Sequence, residues 1–440
     1  MKKRCFSLIF CLILLFSLLP HGFCSDTPVL LALGDSIASG YALSDASQGF
    51  PEQLASRLGM TCVNRAIAGQ TSGELLNALS SGQHDAALRS ASVIVISVGA
   101  NDLLRELSAG GASDGLTASL YLAILRQLTG SGRETPESLR GIADRLAGNL
   151  DAIFRRVAEL SPGTPVIAVN IPNPYNGQTL TFGSRSFDLG AFAEEWISPL
   201  NAAFPVSADY ILADIHAVFD RAGLTNADIR RGEYDPHPNA EGHRRIADAI
   251  LDAVPLGDWN RLSGVSASDW YCVPVRFAAA RTVFSSYSRF DPGQTVTRGG
   301  FVRALGRYAG ISAPAYLGQT GFSDVPAART DAPYIRWAVS AGIVKGTGDG
   351  KFSPDAPITR EQLCVLLAQY LAGSASPSGS PAVFTDDYAV SGWARMAVRT
   401  ATSLGLVQGF ADGSFRPQKT VTGAELAAVL LRLHNLESRG

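Results

Sequence analysis

Short apolar runs alternate with amphipathic stretches over the first half of the chain. Apolar residues recur at three- and four-residue steps across residues 137–160, and this spacing predicts an amphipathic helix. The β-rich apolar runs lie at about residues 28–33, 60–66, 92–98, 165–171 and 209–213. Strands that are apolar on both faces and separated by helices are typical of a parallel sheet covered on both sides. We therefore expect an α/β fold, a three-layer α/β/α sandwich around five parallel strands.

The pattern changes after Leu256, where an internal repeat of about 60 residues begins. Each copy carries a Phe-x-Pro block and, a few residues later, a threonine that opens an amphipathic helix. The copies are Phe290-Asp291-Pro292 with Thr297-Arg298, Phe352-Ser353-Pro354 with Thr359-Arg360, and Phe415-Arg416-Pro417 with Thr422-Gly423. Each threonine is predicted to be a helix N-cap, because its hydroxyl can accept a backbone N–H. A repeat this regular indicates stacked supersecondary units, and we expect them to be mostly α-helical.

The first 25 residues have the arrangement of a secretory signal. Residues 2–4 are Lys-Lys-Arg and precede a nearly unbroken apolar run over residues 6–19. This run is shorter than the ~20 residues that a membrane-spanning helix needs, and no later segment is long and apolar enough. We expect residues 1–25 to be removed and the protein to be exported without a transmembrane anchor. Phe23 before Cys24 disfavours a lipoprotein, whose modified cysteine usually follows a small residue.

Composition narrows the classes of function. Three of the six cysteines lie in the predicted signal, and the remaining Cys62, Cys272 and Cys364 are too scattered for a disulfide framework. No spacing suggests a zinc site, and we expect neither a metal nor another cofactor. The formal net charge of −2, without a long basic run, gives no reason to expect nucleic acid as a partner. The length of the chain indicates more than one domain.

Polar blocks follow the predicted strands of the first half. They are Leu33-Gly34-Asp35-Ser36-Ile37, then Gly69, then Gly99-Ala100-Asn101-Asp102, and finally Asp235-Pro236-His237-Pro238. Ligands of such sheets bind at the carboxyl ends of the strands, so these blocks are expected to meet in one crevice. A serine hydroxyl is a weak nucleophile that needs an adjacent base, and histidine suits that task.

The histidines differ in their suitability as that base. Three lie away from the other blocks, namely His21 in the signal, His84 in a polar stretch and His434 in the last repeat. His243 falls on a predicted helix over residues 240–254, where capping or solvent contact is expected. His216 follows Asp214 by two residues and is a formal competitor, although a structural histidine at a strand end is the ordinary interpretation. His237 lies between two prolines in a loop before a helix, a context that fixes a side chain at the mouth of a sheet. We favour His237.

The four blocks in this order resemble the GDSL or SGNH hydrolase family over roughly residues 28–253. The resemblance implies a flavodoxin-like fold and a serine esterase or lipase, including lysophospholipases. By resemblance Ser36 is the nucleophile, His237 the base and Asp235 its carboxylate. The implied oxyanion donors are the backbone N–H groups of Ser36 and Gly69 and the side-chain amide of Asn101.

Several of these roles have alternatives. The family's loop is Asp-x-x-His-Pro, whereas here the position three before His237 is Tyr234 and the acid is two before it. Asp235 could instead cap the turn, with a backbone carbonyl or Glu233 orienting the imidazole. Gly69 could supply an unusual backbone angle, and Asn101 could be a plain turn residue. Asp35, beside the serine, is expected to brace the loop rather than to react.

The second half resembles three S-layer homology repeats, at about residues 266–312, 321–372 and 383–436. The blocks that carry the resemblance are Phe322-Ser323-Asp324-Val325, Trp337-Ala338-Val339, Gly342-Ile343-Val344-Lys345-Gly346 and Ile358-Thr359-Arg360-Glu361. The resemblance implies a pseudo-threefold unit that binds secondary cell-wall polymers, with Arg298 and Arg360 meeting an anion. These arginines could instead pair with local acids. The third repeat has Gly423 in this position, which puts its groove in doubt.

The sequence thus predicts a signal peptide (1–25), an SGNH hydrolase domain (26–256), a linker (257–265) and three repeats. We expect an exported carboxylic ester hydrolase held non-covalently at the cell wall. Its substrate would carry a fatty acyl chain or be an acetylated sugar, bound between a rim at 103–136 and Asn173-Pro174-Tyr175-Asn176. The alternative is a catalytically inert wall-binding structural protein, because the repeats occupy nearly half of the mature chain.

Overall fold

The computed structural model describes residues 28–108, 136–182, 185–220, 235–254, 264–284, 290–372 and 382–439. The predicted signal peptide, most of the predicted rim, Glu233, Tyr234 and most of the predicted linker lie outside these ranges. Residues 28–254 are called the sheet unit below, and residues 264–439 the repeat unit.

The sheet unit is built on the five predicted parallel strands. They are β1 (Val29–Gly34), β2 (Thr61–Asn64), β3 (Val93–Ser97), β4 (Val166–Val169) and β7 (Ile211–Ala213), and their order in the sheet is β2-β1-β3-β4-β7. All four neighbouring pairs are parallel. The side chains of β3, β4 and β7 are buried along their whole length, as expected for strands covered on both faces. The predicted α/β fold is therefore confirmed.

Helices cover both faces of the sheet. They are α1 (Phe50–Leu58), α2 (Ser72–Ser80), α3 (Asp85–Ser90), α4 (Ala100–Ser108), α5 (Pro136–Leu160), α6 (Leu189–Ala202), α7 (His216–Asp220) and α8 (Ala240–Ala253). Alternate residues of a strand point to opposite faces, so Leu31 and Leu33 of β1 pack in the core under α2, α5 and α6. Leu30 and Ala32 pack in the core under α1 and α8.

One β element was not expected. Strands β5 (Thr179–Phe182) and β6 (Arg185–Asp188) form an antiparallel hairpin beside the main sheet. Polar and apolar residues alternate along Thr179–Phe182, and Arg185–Asp188 has one apolar residue, so neither segment reads as a fully buried strand. The hairpin leads directly into α6, whose N-cap is Asp188.

The repeat unit consists largely of helix pairs. Its helices are α9 (Cys272–Ala280), α10 (Arg298–Tyr308), α11 (Ala332–Ser340), α12 (Arg360–Tyr370), α13 (Arg395–Ser403) and α14 (Gly423–Glu437). The predicted N-caps are confirmed, because Thr297, Thr359 and Thr422 each accept a backbone N–H from the residue three positions later.

Three backbone hydrogen bonds close the repeats into a ring. Val296 donates to Val421 at 2.8 Å, Val421 donates to Ile358 at 3.0 Å, and Ile358 donates to Val296 at 2.9 Å. The residue before each N-cap threonine therefore bonds its counterpart in another repeat, and the three bonds form a closed cycle. This is the geometry of a pseudo-threefold unit.

The two units share a hydrophobic core. Val273 and Phe277 of α9 and Leu431 of α14 pack with the residues on the α8 side of the sheet. Among the described residues, no helix is long and apolar enough to cross a bilayer.

Candidate active site

The loop after β1 presents Ser36. Gly34 ends the strand with φ +128°, and a Cβ atom there would lie 1.8 Å from the Ser97 carbonyl oxygen of β3, so only glycine fits. The next residue, Asp35, donates its backbone N–H to that same oxygen at 2.9 Å. The partly exposed Ser36 accepts hydrogen bonds on its carbonyl from the Tyr41 N–H at 3.0 Å and the Ser39 hydroxyl at 3.1 Å. The serine thus lies on a turn fixed at the carboxyl end of the sheet.

Asp35 braces this turn, as expected. Its Oδ1 atom accepts the Ile37 N–H at 3.0 Å, and the residue is only 2% exposed. Burial raises the pKa of the Asp35 carboxyl to about 7, against the opposing effect of the N–H groups of Ile37 and Ala38. The carboxyl therefore serves the loop mainly as a hydrogen-bond acceptor.

We expect the substitution Asp35→Asn to change how stability depends on pH. The folded carboxyl keeps its proton between about pH 3.8 and 7, whereas the unfolded one loses it at the lower value. The stability that Asp35 contributes is thus present below pH 3.8 and lost as the pH rises through 7, by about 1.4 kcal/mol per pH unit within the window. Asparagine stays neutral and keeps the acceptor oxygen. Urea unfolding at pH 4.5 and 7.5 gives the free energy of unfolding at each pH. This free energy should fall less between the two pH values for the variant than for the unchanged protein. Equal falls would contradict the raised pKa of Asp35.

The second and third blocks are joined directly. Gly69 has φ +81°, so its unusual backbone angle is confirmed. Its carbonyl accepts a hydrogen bond from Arg105 at 3.2 Å. Asn101, in the first turn of α4, is buried and donates from Nδ2 to the carbonyl of Gln70 at 3.2 Å. An amide nitrogen carries two hydrogens, and this bond holds the Asn101 side chain beside the Gly69 turn.

Asp102 has a structural role that the sequence did not reveal. Its two carboxylate oxygens accept the Ser72 N–H at 2.9 Å and the Ser72 hydroxyl at 2.5 Å. Asn149 of α5 donates to the same hydroxyl at 2.8 Å. The carboxylate therefore ties the start of α4 to the start of α2, next to the second block. An acid in the first turn of a helix was the only local signal.

The fourth block brings an acid against the imidazole despite the shortened loop. Asp235 Oδ1 lies 2.6 Å from His237 Nδ1 and accepts the His237 backbone N–H at 3.0 Å. One oxygen thus serves both the turn and the ring, so turn capping and imidazole contact are not exclusive. The Tyr41 ring lies 4.8 Å from the imidazole, centroid to centroid. Tyr41 also donates its N–H to Ser36, which links this loop to the serine turn.

The other histidines of the sheet unit have different partners. His216 Nε2 lies 2.9 Å from Glu194 Oε2, not against the nearby Asp214. The expectation of solvent contact for His243 is wrong, because the residue is 1% exposed. Its Nδ1 accepts the N–H of Phe50, the first residue of α1, so it does cap a helix. Burial lowers the pKa of His243 to about 4, with a further effect from His237. His84 is also buried, although it lies in a polar stretch.

Residues from three of the blocks line one apolar pocket. Ile37 beside Ser36, Ala100 beside Asn101 and Pro236 beside His237 all line it. Leu103 and Leu104 of the predicted rim contribute, as do Pro174 and Tyr175 of the predicted lining segment. Ile171 and Pro172 also line the pocket, and helix α6 contributes Phe192, Ala193, Trp196, Ile197 and Leu200. Residues of three of the four blocks therefore line one pocket with apolar walls, and the Gly69 block does not line it.

Among the described residues, neither Arg298 nor Arg360 forms an ion pair with an acid; both bind backbone carbonyl groups instead. Arg298 donates to the carbonyls of Phe352 at 3.1 Å and Lys345 at 3.4 Å. Its guanidinium carbon lies 4.9 Å from the centre of the Phe352 ring. Arg360 repeats this geometry one repeat later, with Phe415 at 2.8 Å and Gln408 at 2.7 Å. Each arginine thus forms hydrogen bonds from its own repeat to the next one. Burial lowers the pKa of both guanidinium groups.

The third interface is different. Gly423 takes the position of the arginines, and a Cβ atom there would lie 3.2 Å from Cζ of Phe290. The backbone contacts are nevertheless kept, since Gly423 donates to Gln294 at 2.9 Å as Arg360 donates to Lys419 at 3.0 Å. Phe290 occupies the space that a side chain would need. The doubt about the third groove therefore has a structural basis.

No group of three or more His, Cys, Asp or Glu side chains in the described part of the chain could hold a metal ion. Cys62, Cys272 and Cys364 are free thiols, the last two buried. The blocks near the pocket carry a hydroxyl on Ser36, an imidazole on His237, a carboxylate on Asp235 and an amide on Asn101.

Comparison with known families agrees with the geometry. Residues 32–245 match the model of the GDSL-like lipase/acylhydrolase family. This match supports a GDSL-like lipase/acylhydrolase domain at residues 32–245, called the GDSL domain below. Residues 321–364 and 383–427 match the model of the S-layer homology domain, so S-layer homology repeats follow the GDSL domain.

Curated relatives share only part of their length with this chain. An amylopullulanase from Thermoanaerobacterium thermosulfurigenes is 34% identical over 39% of this chain and 9% of its own length. The S-layer protein of Bacillus thuringiensis is 26% identical over 38% of this chain and 20% of its own length. A cellulosome-anchoring protein of Acetivibrio thermocellus is 36% identical over 20% of each. The chain therefore spans a fifth or less of the length of these relatives.

Solved structures similar to the GDSL domain include two lipolytic enzymes. A lipase from a goat rumen metagenome is 18% identical, with 52% of this chain and 97% of that one covered, at a TM-score of 0.37. The phospholipase A1 of Streptomyces albidoflavus is 17% identical, with 52% and 100% covered, at a TM-score of 0.38.

Proposed function

We propose that this protein is an exported carboxylic ester hydrolase that is tethered non-covalently to the cell wall. The observation that carries the proposal is the convergence of the Ser36, Asn101 and His237 blocks on one apolar pocket inside a GDSL domain. The repeat unit supplies the tether. Two hydrolytic relatives and an S-layer protein carry regions similar to this chain, in keeping with this arrangement.

In the proposed mechanism the Ser36 hydroxyl attacks the acyl carbonyl of an ester. His237 Nε2 takes the hydroxyl proton, and Asp235 holds the Nδ1–H and stabilises the imidazolium. The imidazolium then gives its proton to the leaving alcohol, which leaves an acyl group on Ser36. A water molecule, deprotonated by His237, attacks this acyl-enzyme and releases the carboxylic acid. No cofactor is needed for these steps.

The oxyanion donors are proposed to be the N–H groups of Ser36 and Gly69 and the Asn101 amide. Developing negative charge on the carbonyl oxygen needs donors that are already oriented, and each such donor is worth about 100- to 1000-fold in rate. The positive φ of Gly69 and the bond from Asn101 to Gln70 support this assignment, because they fix both groups at one place.

The pocket favours an acyl chain over acetate. Its walls are formed by apolar side chains of α4, α6 and the loop after β4. Each methylene group buried in such a pocket contributes about 0.8 kcal/mol to binding. An acetyl group would leave most of this apolar surface without a partner. We therefore propose lipid-like esters, including lysophospholipids, ahead of acetylated sugars.

The wall ligand is proposed to bind at the first two interfaces of the repeat unit. Arg298 and Arg360 are oriented there by backbone carbonyls and phenylalanine rings, so each guanidinium is already ordered. A guanidinium that is ordered before binding loses less entropy when it meets an anion. An acidic secondary wall polymer fits this chemistry. The third interface, with Gly423, is proposed not to contribute.

A sedimentation assay tests both halves of the proposal together. The protein is mixed with purified cell walls, the walls are pelleted, and the pellet is assayed with acetyl and octanoyl esters of one alcohol. We expect esterase activity in the pellet, with kcat/KM at least about 10-fold higher for the octanoyl ester, as buried methylene groups predict. The double substitution Arg298→Gln with Arg360→Gln should leave the activity in the supernatant.

The assay also separates the alternative function. Sedimentation of a protein that hydrolyses neither ester, and whose Ser36 is not labelled by a fluorophosphonate, would indicate an inert wall-binding protein. A preference for the acetyl ester would instead favour deacetylation of polysaccharide.

A further inference from the structure

The helices that open the three repeats differ in length. Helices α10 and α12 have 11 residues each, whereas α14 has 15. The start of α14 aligns with the other two, because its backbone contacts to the neighbouring repeat are the same. The additional turn therefore lies at its C-terminal end, at residues 434–437. The third repeat thus departs from the others at both ends of this helix.

The additional turn binds the edge strand of the GDSL domain. Strand β7 pairs with β4 on one side only, and the N–H and C=O of its central residue, Leu212, point away from β4. Asn435 Oδ1 accepts the Leu212 N–H at 2.8 Å, and His434 Nε2 lies 3.0 Å from the Leu212 carbonyl. Asn435 also donates to the carbonyls of Ser207 and Tyr210, at 2.9 and 2.7 Å. Two side chains of the repeat unit therefore satisfy an edge that would otherwise be open.

Apolar packing surrounds these hydrogen bonds. Phe277 and Leu431 are fully buried in the same core as Ile246 and Ile250 of α8. The Phe277 ring also lies 5.1 Å from the His434 ring. His434 and Asn435 are themselves 7% and 0% exposed. An interface with a sealed apolar centre and paired polar groups resembles a domain interior more than a flexible junction.

Ser438 and Arg439 contact two of the elements that line the pocket. Asn170, directly before the pocket residue Ile171, donates to the Ser438 carbonyl at 3.2 Å. Asn170 Oδ1 accepts the N–H groups of Ile215 and His216, at 2.7 and 2.9 Å. Arg439 donates to the carbonyl of Ala202, the last residue of α6. The same short segment thus contacts both the loop after β4 and α6, the helix that supplies five of the pocket residues.

We propose that the third repeat is a docking repeat: its lengthened helix joins the wall-binding unit rigidly to the GDSL domain and positions the pocket wall. It has Gly423 where the other two repeats have arginine, and it has an additional turn whose side chains bind the edge of the sheet. The first two repeats then serve the wall polymer, and the third serves the hydrolase. The crevice is consequently held in one orientation relative to the wall.

Cleavage between the two units tests the docking without any assumption about catalysis. A protease site is inserted into the full chain between Val254 and Gly264, the protein is cleaved, and the halves are separated by gel filtration at micromolar concentration. We expect the halves to elute together. In the same cleaved protein with His434→Leu and Asn435→Leu, the Kd for the two halves should be at least about 10-fold higher. The reason is that the buried N–H and C=O groups of β7 lose their hydrogen-bond partners.

The control is Gln362→Ala, which removes a capping bond to Thr359 within the second repeat. Its halves should stay together as in the unchanged protein. Separation of the unchanged halves after cleavage would overturn the proposal, and so would an unchanged affinity in the double leucine variant. If that variant does not fold, the cleaved unchanged protein still decides the question.

The positioning of the pocket has a separate readout, which rests on the proposed esterase activity. In the uncleaved double leucine variant, KM for an octanoyl ester should rise several-fold more than KM for an acetyl ester, with kcat less affected. Equal changes for both esters would indicate a structural role alone. If no ester is hydrolysed, the proposed function fails, whereas the gel-filtration result for docking still stands.

Discussion

Replacing Ser36 with alanine should lower kcat for ester hydrolysis by at least about 1000-fold. The hydroxyl is the only proposed source of the acyl-enzyme, so its removal leaves only catalysis by the oxyanion donors and by binding. KM should change little, because the pocket that holds the acyl chain is formed by Ile37 and more distant side chains. The measurement is initial rates with an octanoyl ester, together with labelling by a fluorophosphonate, which should be absent in the variant.

Ser47→Ala is the matched control for this experiment. Ser47 is exposed on the connection between the Ser36 turn and α1, and its side chain does not line the pocket. We expect wild-type rates and full labelling. An alanine variant at position 36 that keeps a tenth or more of the activity would rule out Ser36 as the nucleophile.

The sheet could be predicted from the sequence because its central strands β1, β3 and β4 are apolar on both faces. Few other structures accommodate runs such as Val93–Ser97 between amphipathic helices, so hydrophobicity alone identifies them. The β5–β6 hairpin escaped this reasoning because its strands are short, are not continuously apolar and lie outside the main sheet. The threonine caps were predictable for a local reason, since capping depends on three neighbouring residues.

Contacts that join distant segments left no such signal. His243 has the sequence context of a surface residue on α8. It nevertheless accepts a hydrogen bond from Phe50 of α1, which lies 193 residues earlier in the chain. Arg298 and Arg360 bind carbonyl oxygens, and a carbonyl has no side chain that a pattern could reveal. The docking of Asn435 on β7 depends on how two complete units meet. These contacts follow from tertiary structure, which local spacing does not encode.

The candidate crevice was partly predictable, because the order of strands in a parallel sheet places their carboxyl ends together. What the sequence could not decide was the geometry of the Asp235 loop. The structure gives a contact of 2.6 Å between its carboxylate and His237, although the acid is two rather than three positions before the imidazole. The catalytic role of this contact remains a proposal, and a single substitution can test it.

The substitution Asp235→Asn should lower kcat by about 100- to 10,000-fold with an intact fold. Asparagine keeps the oxygen that accepts the His237 N–H, so the turn should persist. The amide cannot compensate an imidazolium charge, and its NH2 group can bond Nδ1 in the wrong tautomer, with the proton left on Nε2. His237 would then be unable to accept the Ser36 proton.

Asp214→Asn provides a control with the same spacing, because Asp214 also precedes a histidine by two residues. Its Oδ1 accepts the Ala217 N–H and a bond from Asn170, and His216 pairs with Glu194 instead. We expect a loss of less than about 10-fold, in line with the modest effect of one weakened hydrogen bond. If both asparagine variants lose activity equally and slightly, Asp235 acts only as a turn cap. A large loss at Asp235 alone would show that the shortened loop still delivers a working carboxylate to the base.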